Sequence, residues 1–428
     1  MKKILLLSYY YPPIHSIATR RNFHISQKFQ KYFSKVFVFT TKNNRFLPKN
    51  DRNTVGVNIS SIFTFDYRTL AHWLSGKEKR ASTHFSEQTK QNPIVHFFAV
   101  RSLNSFPFNL LFHEGGIVYT LICLWKAVRV IKKENITHVY SSFRPYSDHF
   151  TAYLLKIFFP KIYWIADFRD LHIEPQYRHI VFEPFQHWCN KQILRKANIV
   201  TTVSEGLANH LKRYKSSVYV LRNGVTFENL DFEKKPFQKF TIAYTGSMFG
   251  DERNPSLFLE VIKSLENQKI LRGSNFQILY AGKDTGVWLN WIKRYDLEHL
   301  FESKGMIDPN QALDIQRNCH LNLLLTSATP ESTGQLTGKF YEYLAAKNPI
   351  IVSIDGTQDL EFESIMHDLN VGCVVYNNQS FAELKSFILE KFNEWETTGI
   401  VKSTIDLEKL KELSWENQVG KFVEHINL

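Results

Sequence analysis

Short apolar runs and helix-period segments alternate along almost the whole chain, and that alternation restricts the fold more than any other feature. ILLLS at residues 4–8 reads as a buried strand that YYYPP then ends, because consecutive prolines cannot continue a ladder. From Ile17 to Phe33 the spacing is helical, with Ile25, Phe29 and Phe33 four residues apart, and VFVFT at 36–40 is the next strand. Strand, helix, strand at this spacing starts a βαβ series. A parallel sheet follows, with its ligand crevice at the carboxyl ends of the strands.

The pattern weakens between about residues 42 and 100, where polar clusters are broken by short aromatic groups, and an irregular insertion is expected there. It resumes with a helix from Ile117 to Lys133 and runs through THVYSS, IYWIADF, NIVTTVS and VYVLRNG as strands with helices between them. The charged stretch FENLDFEKKPFQKF, residues 227–240, reads as a linker, and a second α/β series follows from FTIAYTGS to GCVVY. Two doubly wound domains are expected, 1–226 and 241–405, facing each other across a cleft. The stretches from Phe381 to Glu394 and Leu407 to Ile426 are helical without strands between them, and the segment 406–428 is expected to return to the first domain.

With 53 Lys and Arg against 41 Asp and Glu, the formal charge of +12 favours anionic partners: phosphorylated small molecules, nucleic acid or acidic lipid. The 35 Phe, 19 Tyr and 8 Trp argue against disorder. No recognised nucleic-acid module accompanies the charge, so nucleic acid is set aside. The four cysteines, far apart and without a CxxC pair, read as reduced core thiols, consistent with a cytoplasmic protein. MKKILLLSYYYPP is too short in its apolar run and too rich in tyrosine for a signal peptide, and no segment has the length of a membrane span. Membrane contact is therefore expected to be peripheral.

Polar residues at strand ends supply the candidate site. After the first strand, Tyr11, His15 and Arg20 or Arg21 can meet an anion, although Tyr-Pro-Pro also serves as a rigid turn. In YSSFRPYSDHF, Ser142, Arg144, Ser147 and His149 can contact ligand hydroxyls or phosphates. In WIADFRD, Asp167, Arg169 and Asp170 either face the crevice or form an ion-pair cluster. Ser204 is placed as an N-cap. In the second series, Gly246, Ser247 and Gly250 shape a loop that lets a diphosphate approach backbone N–H groups, with Arg253 as the cation. Lys339 and Glu342, three apart on one helix face, suit a phosphate and a ribose diol, although a salt-bridged surface helix fits the same spacing.

GKFYEYLAAKNPII resembles the nucleotide-sugar-binding signature of the GT-B superfamily, specifically the retaining GT4-type glycosyltransferases of bacterial surface polysaccharide synthesis. SYYYPP followed by Arg20, then IADFRD, and VSEGLANHL with RNGV resemble further pieces of that family, in its order along most of the chain. The resemblance implies a GT-B fold of two Rossmann-like domains. It implies a metal-independent, retaining hexosyltransferase that moves a sugar from a nucleotide diphosphate sugar, UDP-linked by analogy, to a glycan or lipid-linked glycan, with no further cofactor. Glu342 would then bind ribose, Lys339 and Gly338 the diphosphate, and Gly246, Ser247 and Arg253 the donor phosphates. Lys339, Arg253, His149 and Asp167 are the catalytic candidates, and Tyr11, His15, Arg20, Arg144, Ser147, Arg169 and Asp170 would orient sugar or acceptor. Many family members carry a second glutamate where this chain has Gly334; Glu331, three residues earlier, is the donor-binding candidate in its place, and His15 to Ala18 replaces a more glycine-rich run. A front-face reaction is implied, in which the departing phosphate helps remove the acceptor proton. Attachment to an anionic membrane at the cytoplasmic face suits a lipid-linked acceptor. A sugar-nucleotide epimerase or hydrolase of the same fold and a non-catalytic sugar-nucleotide-binding scaffold are the alternatives.

Overall fold

The computed structural model describes residues 2–14, 16–42, 55–67, 69, 100–174, 179–226, 232–248, 253–330, 332–334 and 336–427. The chain forms two compact units, Met1–Arg222 with Gln418–Leu428, and Asn223–Asn417.

In the first unit seven parallel strands lie in the order β3-β2-β1-β4-β5-β6-β7. They are β1 (Lys3–Leu7), β2 (Lys35–Thr41), β3 (Asn58–Ile62), β4 (His138–Phe143), β5 (Tyr163–Phe168), β6 (Ile199–Thr202) and β7 (Val218–Val220). The near-continuous apolar runs are explained by burial on both faces, since every residue of β4 is buried and β1 is buried from Ile4 onward. The order reverses between β1 and β4, so the topological switch point lies where Ser8–Tyr11 and Arg144–Ser147 leave the sheet. Ser16 caps the Ile17–Phe29 helix by accepting from Thr19 N–H, and Ser204 caps Glu205–Leu211 through Leu207 N–H, as the sequence predicts for Ser204.

Strand β3 falls inside the expected irregular insertion. Its sequence NISSI is largely exposed at the sheet edge and carries none of the apolar pattern that marks buried strands. Residues 43–54, 68 and 70–99 of that insertion, and 227–231 of the expected linker, lie outside the described residues.

The second unit holds six parallel strands in the order β10-β9-β8-β11-β12-β13. These are β8 (Phe240–Thr245), β9 (Phe276–Ala281), β10 (Phe301–Ser303), β11 (Leu321–Ala328), β12 (Ile350–Gly356) and β13 (Gly372–Tyr376). Its switch point lies between β8 and β11. The core on one face gathers Phe258, Ile262, Trp288 and Phe392 against β8 and β9.

The C-terminal stretch read as one helix is two, Leu407–Glu412 and Trp415–His425, because Leu413 O accepts from Val225 N–H where the chain leaves the second unit. From Gln418 onward the last helix belongs to the first unit: Tyr219 of β7 packs on Phe422 and His425, and Lys2 Nζ donates to Asn427 O. All four cysteines are free thiols, three of them buried.

Candidate functional site

The second unit builds its site from two loops that meet at the β8/β11 switch point. β8 ends at Thr245, and the chain turns through Gly246 at φ +113°, a conformation that glycine adopts without a Cβ penalty. A Cβ there would collide with Cε and Nζ of Lys339, so the lysine amine rests directly on this glycine. The turn is held from below, where Tyr280 OH donates to Gly246 O (3.0 Å) and Asp284 Oδ2 accepts from Met248 N–H (2.8 Å).

The hydroxyl of Tyr244 organises two cations. It donates to Ser247 O (2.8 Å) and accepts from Arg253 Nη1 (3.1 Å) and Lys339 Nζ (3.3 Å). The Lys339 amine also lies 4.6 Å from the Tyr244 ring centroid. Burial and the adjacent Arg253 charge push the Lys339 amine down to about 7, against the opposite pull of Glu342 and Asp284. An anion placed here would restore its charge.

Lys339 opens the Gly338–Ala346 helix, whose Thr337 cap residue makes no side-chain hydrogen bond to the first turn. The Thr337 hydroxyl is itself buried without a partner. These amide groups and the helix dipole favour an anion at this end. One turn on, Glu342 Oε2 accepts from Gln316 Nε2 (3.2 Å), and the same amide donates to Thr245 Oγ1 (2.8 Å). Gln316 therefore ties the ends of β8 and of two helices together. Ionised Glu342 can only accept, which fixes the orientation of that amide.

The loop before this helix includes Gly334 where the resembled family has glutamate. A carboxylate does come to the loop, from Asp359. It accepts from Gly334 N–H (2.7 Å) and from Phe362 N–H (3.1 Å), which occupies it as a cap. Glu331, His15 and Gly250 lie outside the described residues.

In the first unit the predicted residues separate into two groups. Arg20, Arg144, Arg169 and Asp170 reach solvent at the carboxyl edge, with Arg144 paired to Glu174 (3.1 Å) and Arg169 to Asp170 (3.4 Å). Tyr11, Ser147, His149 and Asp167 are interior. Tyr11 OH bonds Ser26 Oγ (2.7 Å), and Ser147 Oγ donates to Glu114 O (3.3 Å).

For the two catalytic candidates of this unit the structure corrects the expectation of ligand-facing groups. Asp167 is fully buried, with both oxygens engaged by Arg21 (2.6 and 2.9 Å) and Oδ1 also by Thr201 (2.7 Å). Burial raises its pKa, but the Arg21 charge and these hydrogen bonds outweigh that and hold it below the usual carboxylate range. His149 is enclosed by Phe143, Trp164 and Phe168 with Nδ1 on Ser141 Oγ (2.8 Å), and burial pushes it down to about 3, so the ring stays neutral.

The sequence also missed Asp148, which accepts from Tyr9 N–H and Tyr119 OH (both 2.8 Å) and is raised by burial to about 7. Its signal was faint, a single acid between Ser147 and His149 at a strand end. Among the described residues no group of three or more His, Cys, Asp or Glu side chains is arranged to hold a metal ion, and no helix is long and apolar enough to cross a membrane.

No protein-family model and no curated protein matches the chain. Solved structures do. The apo lipopolysaccharide outer core galactosyltransferase WaaB aligns at 10% identity with a TM-score of 0.57, covering 100% of this chain and 99% of that one. A mutant of S. aureus TarM in complex with fondaparinux, alpha-GlcNAc-glycerol and UDP aligns at 13% identity and TM-score 0.57, with 100% of both chains covered. The N-terminal domain of Candida albicans trehalose-6-phosphate phosphatase aligns at 12% identity and TM-score 0.62, covering 100% and 96%. At such identities the likeness establishes the fold, which is GT-B: two Rossmann-like units with a C-terminal helix.

Proposed function

We propose that the protein is a retaining glycosyltransferase that binds a UDP-linked sugar in its second unit and transfers the hexosyl group to a hydroxyl of a glycan or lipid-linked glycan. The observation that carries this reading is the Lys339 amine seated on Gly246 at the β8/β11 switch point, with Arg253 on the same tyrosine and Glu342 one helical turn away. That arrangement offers cations for a diphosphate and, beside them, a carboxylate for a ribose diol. WaaB, described as a galactosyltransferase, and TarM, whose structure contains UDP, share the fold and lend the reading support.

In this reading Lys339, Arg253 and the N-terminal amides of the Gly338–Ala346 helix stabilise the charge that grows on the departing diphosphate. The acceptor hydroxyl approaches on the face the phosphate leaves, and a phosphate oxygen takes its proton. Gly246 and Ser247 let the backbone approach the phosphates, and Glu342 holds the ribose. Arg20, Arg144, Arg169 and Asp170 are the groups of the first unit that face solvent and can orient sugar or acceptor. Asp167 and His149 act through the fold of that unit.

A thermal-shift titration with UDP-, GDP-, TDP- and CMP-sugars tests the donor assignment, because a ligand of the folded state raises its apparent stability. A selective shift that Lys339→Ala and Glu342→Ala both reduce, in folded protein, supports the site. Equal shifts in all three proteins would overturn it. Sugar transfer that requires an added acceptor then separates a transferase from an epimerase or hydrolase.

A further inference from the structure

We propose that the open edge of the second unit's sheet binds an extended segment of a partner polypeptide, one with neighbouring Lys or Arg residues, which adds to β13 as a further strand. β13 stands at the end of the order β10-β9-β8-β11-β12-β13 and pairs with β12. Ile350 N–H donates to Val371 O and Asn377 N–H to Ile354 O, so the odd-numbered residues of β13 turn their backbone groups toward β12. Gly372 and Val374 therefore turn theirs outward. Tyr376, next in that series, is closed off locally: its N–H donates to Ser380 Oγ (3.2 Å) and its carbonyl accepts from Gln379 and Ser380 N–H.

The two edges of this sheet are finished differently. β10 is three residues long, and the Glu302–Lys304 ion pair closes it, a charged finish that keeps an edge from pairing. β13 has the sequence GCVVY, with neither charge nor proline. Its edge forms the floor of a groove of about 860 Å³. One wall is the Leu360–Leu369 helix, toward which Val374 and Tyr376 pack, and the other is the start of the Phe381–Thr398 helix, toward which Cys373 and Val375 pack.

Each wall carries an acid. Glu363 accepts from Tyr376 OH (2.6 Å) and Gln358 Nε2 (3.0 Å), Glu383 is exposed, and neither is paired with a cation among the described residues. The surroundings have the same sign. From Asn348 to Leu384 the sequence has no Lys or Arg and carries Asp355, Asp359, Glu361, Glu363, Asp368 and Glu383, although the whole chain is at +12.

Successive side chains of a strand point to opposite faces, so two neighbouring cations of an added strand would reach one wall each. Backbone hydrogen bonds to Gly372 and Val374 would hold the segment, and the two acids would select it. A second copy of this chain, paired edge to edge, would bring its own Glu363 and Glu383 against these. Charge complementarity thus favours a basic segment of another protein. The proposal does not depend on which donor the second unit binds.

Fluorescence anisotropy tests it, with the full chain and a short capped peptide of Thr and Val around a central Lys-Arg pair. This peptide should bind, release in high salt, and slow hydrogen exchange at Gly372 and Val374. Replacing Lys-Arg by Glu-Glu, or N-methylating the peptide backbone, should abolish binding. Glu383→Lys changes an exposed side chain, so it should keep the wild-type melting temperature and weaken the peptide roughly tenfold, attraction being replaced by repulsion. Val374→Pro removes an outward N–H, which an edge strand tolerates, and should weaken it severalfold. No binding of the Lys-Arg peptide, equal binding of its N-methylated form, or wild-type affinity in either variant overturns the proposal. So does a wild-type dimer by sedimentation that Val374→Pro dissolves, because a second copy would then be the occupant.

Discussion

The two units share an architecture and treat their charges in opposite ways. In the first, Arg21 and Asp167 behind the carboxyl edge neutralise each other inside the protein. In the second, the Lys339 amine is enclosed, and its hydrogen bonds go to a hydroxyl and a carbonyl. One set of buried charges is settled within the fold and specifies it. The other is held at a cost that a bound anion would relieve.

The sharpest way to break this contrast is to unpair the first unit. Arg21→Ala leaves the Asp167 carboxylate alone in the interior and should cost about 3–5 kcal/mol of stability by chemical denaturation. A cost under about 1 kcal/mol, the scale of surface pairs, would remove the distinction. Lys339→Ala should do the reverse. Stability should hold or rise, while affinity for a nucleoside diphosphate falls by about 2 kcal/mol or roughly thirtyfold in calorimetry, the scale of a charge-assisted hydrogen bond.

The Lys339 contrast also has a pH signature. Its folded pKa of about 7 lies below the unfolded value of about 10.4, so the unfolded chain binds more protons between them and this group makes stability rise with pH across that window. Binding an anion demands the charged amine. Nucleoside diphosphate affinity should therefore weaken above about pH 7, by up to roughly tenfold per pH unit, with proton uptake seen as a buffer-dependent binding enthalpy. Lys339→Arg should flatten the profile, since guanidinium does not titrate there.

The smallest expected effect is at Gln316. Gln316→Leu frees Glu342 from its amide, and the preference for UDP over 2′-deoxy-UDP should drop severalfold while 2′-deoxy-UDP binding stays level. An equal loss for both nucleotides would mean that Gln316 serves packing alone.

The sheets were legible because strands buried on both faces must be written as apolar runs, and β1, β4, β8 and β11 all are. β3 was not, since a half-exposed edge strand leaves no such run. The signature around Lys339 and Glu342 was legible because its groups sit on one short helix. Tyr244, Tyr280 and Gln316 act through single hydrogen bonds between distant segments, and no local pattern announces them. Arg21 is a different case. The spacing that predicts the first helix, Ile25, Phe29, Phe33, extends one step back to Arg21, which put it rather than Arg20 on the buried stripe.

The return of the last helix to β7 makes the first unit discontinuous, with Gln418–Leu428 separated from Arg222 by the whole of the second. On the ribosome, domains ordinarily fold in the order they emerge. Here the second unit emerges complete while the first still lacks the helix that covers Tyr219. The unit that is begun first is finished last, and a nascent chain halted near residue 417 would carry a closed second unit beside an open first one.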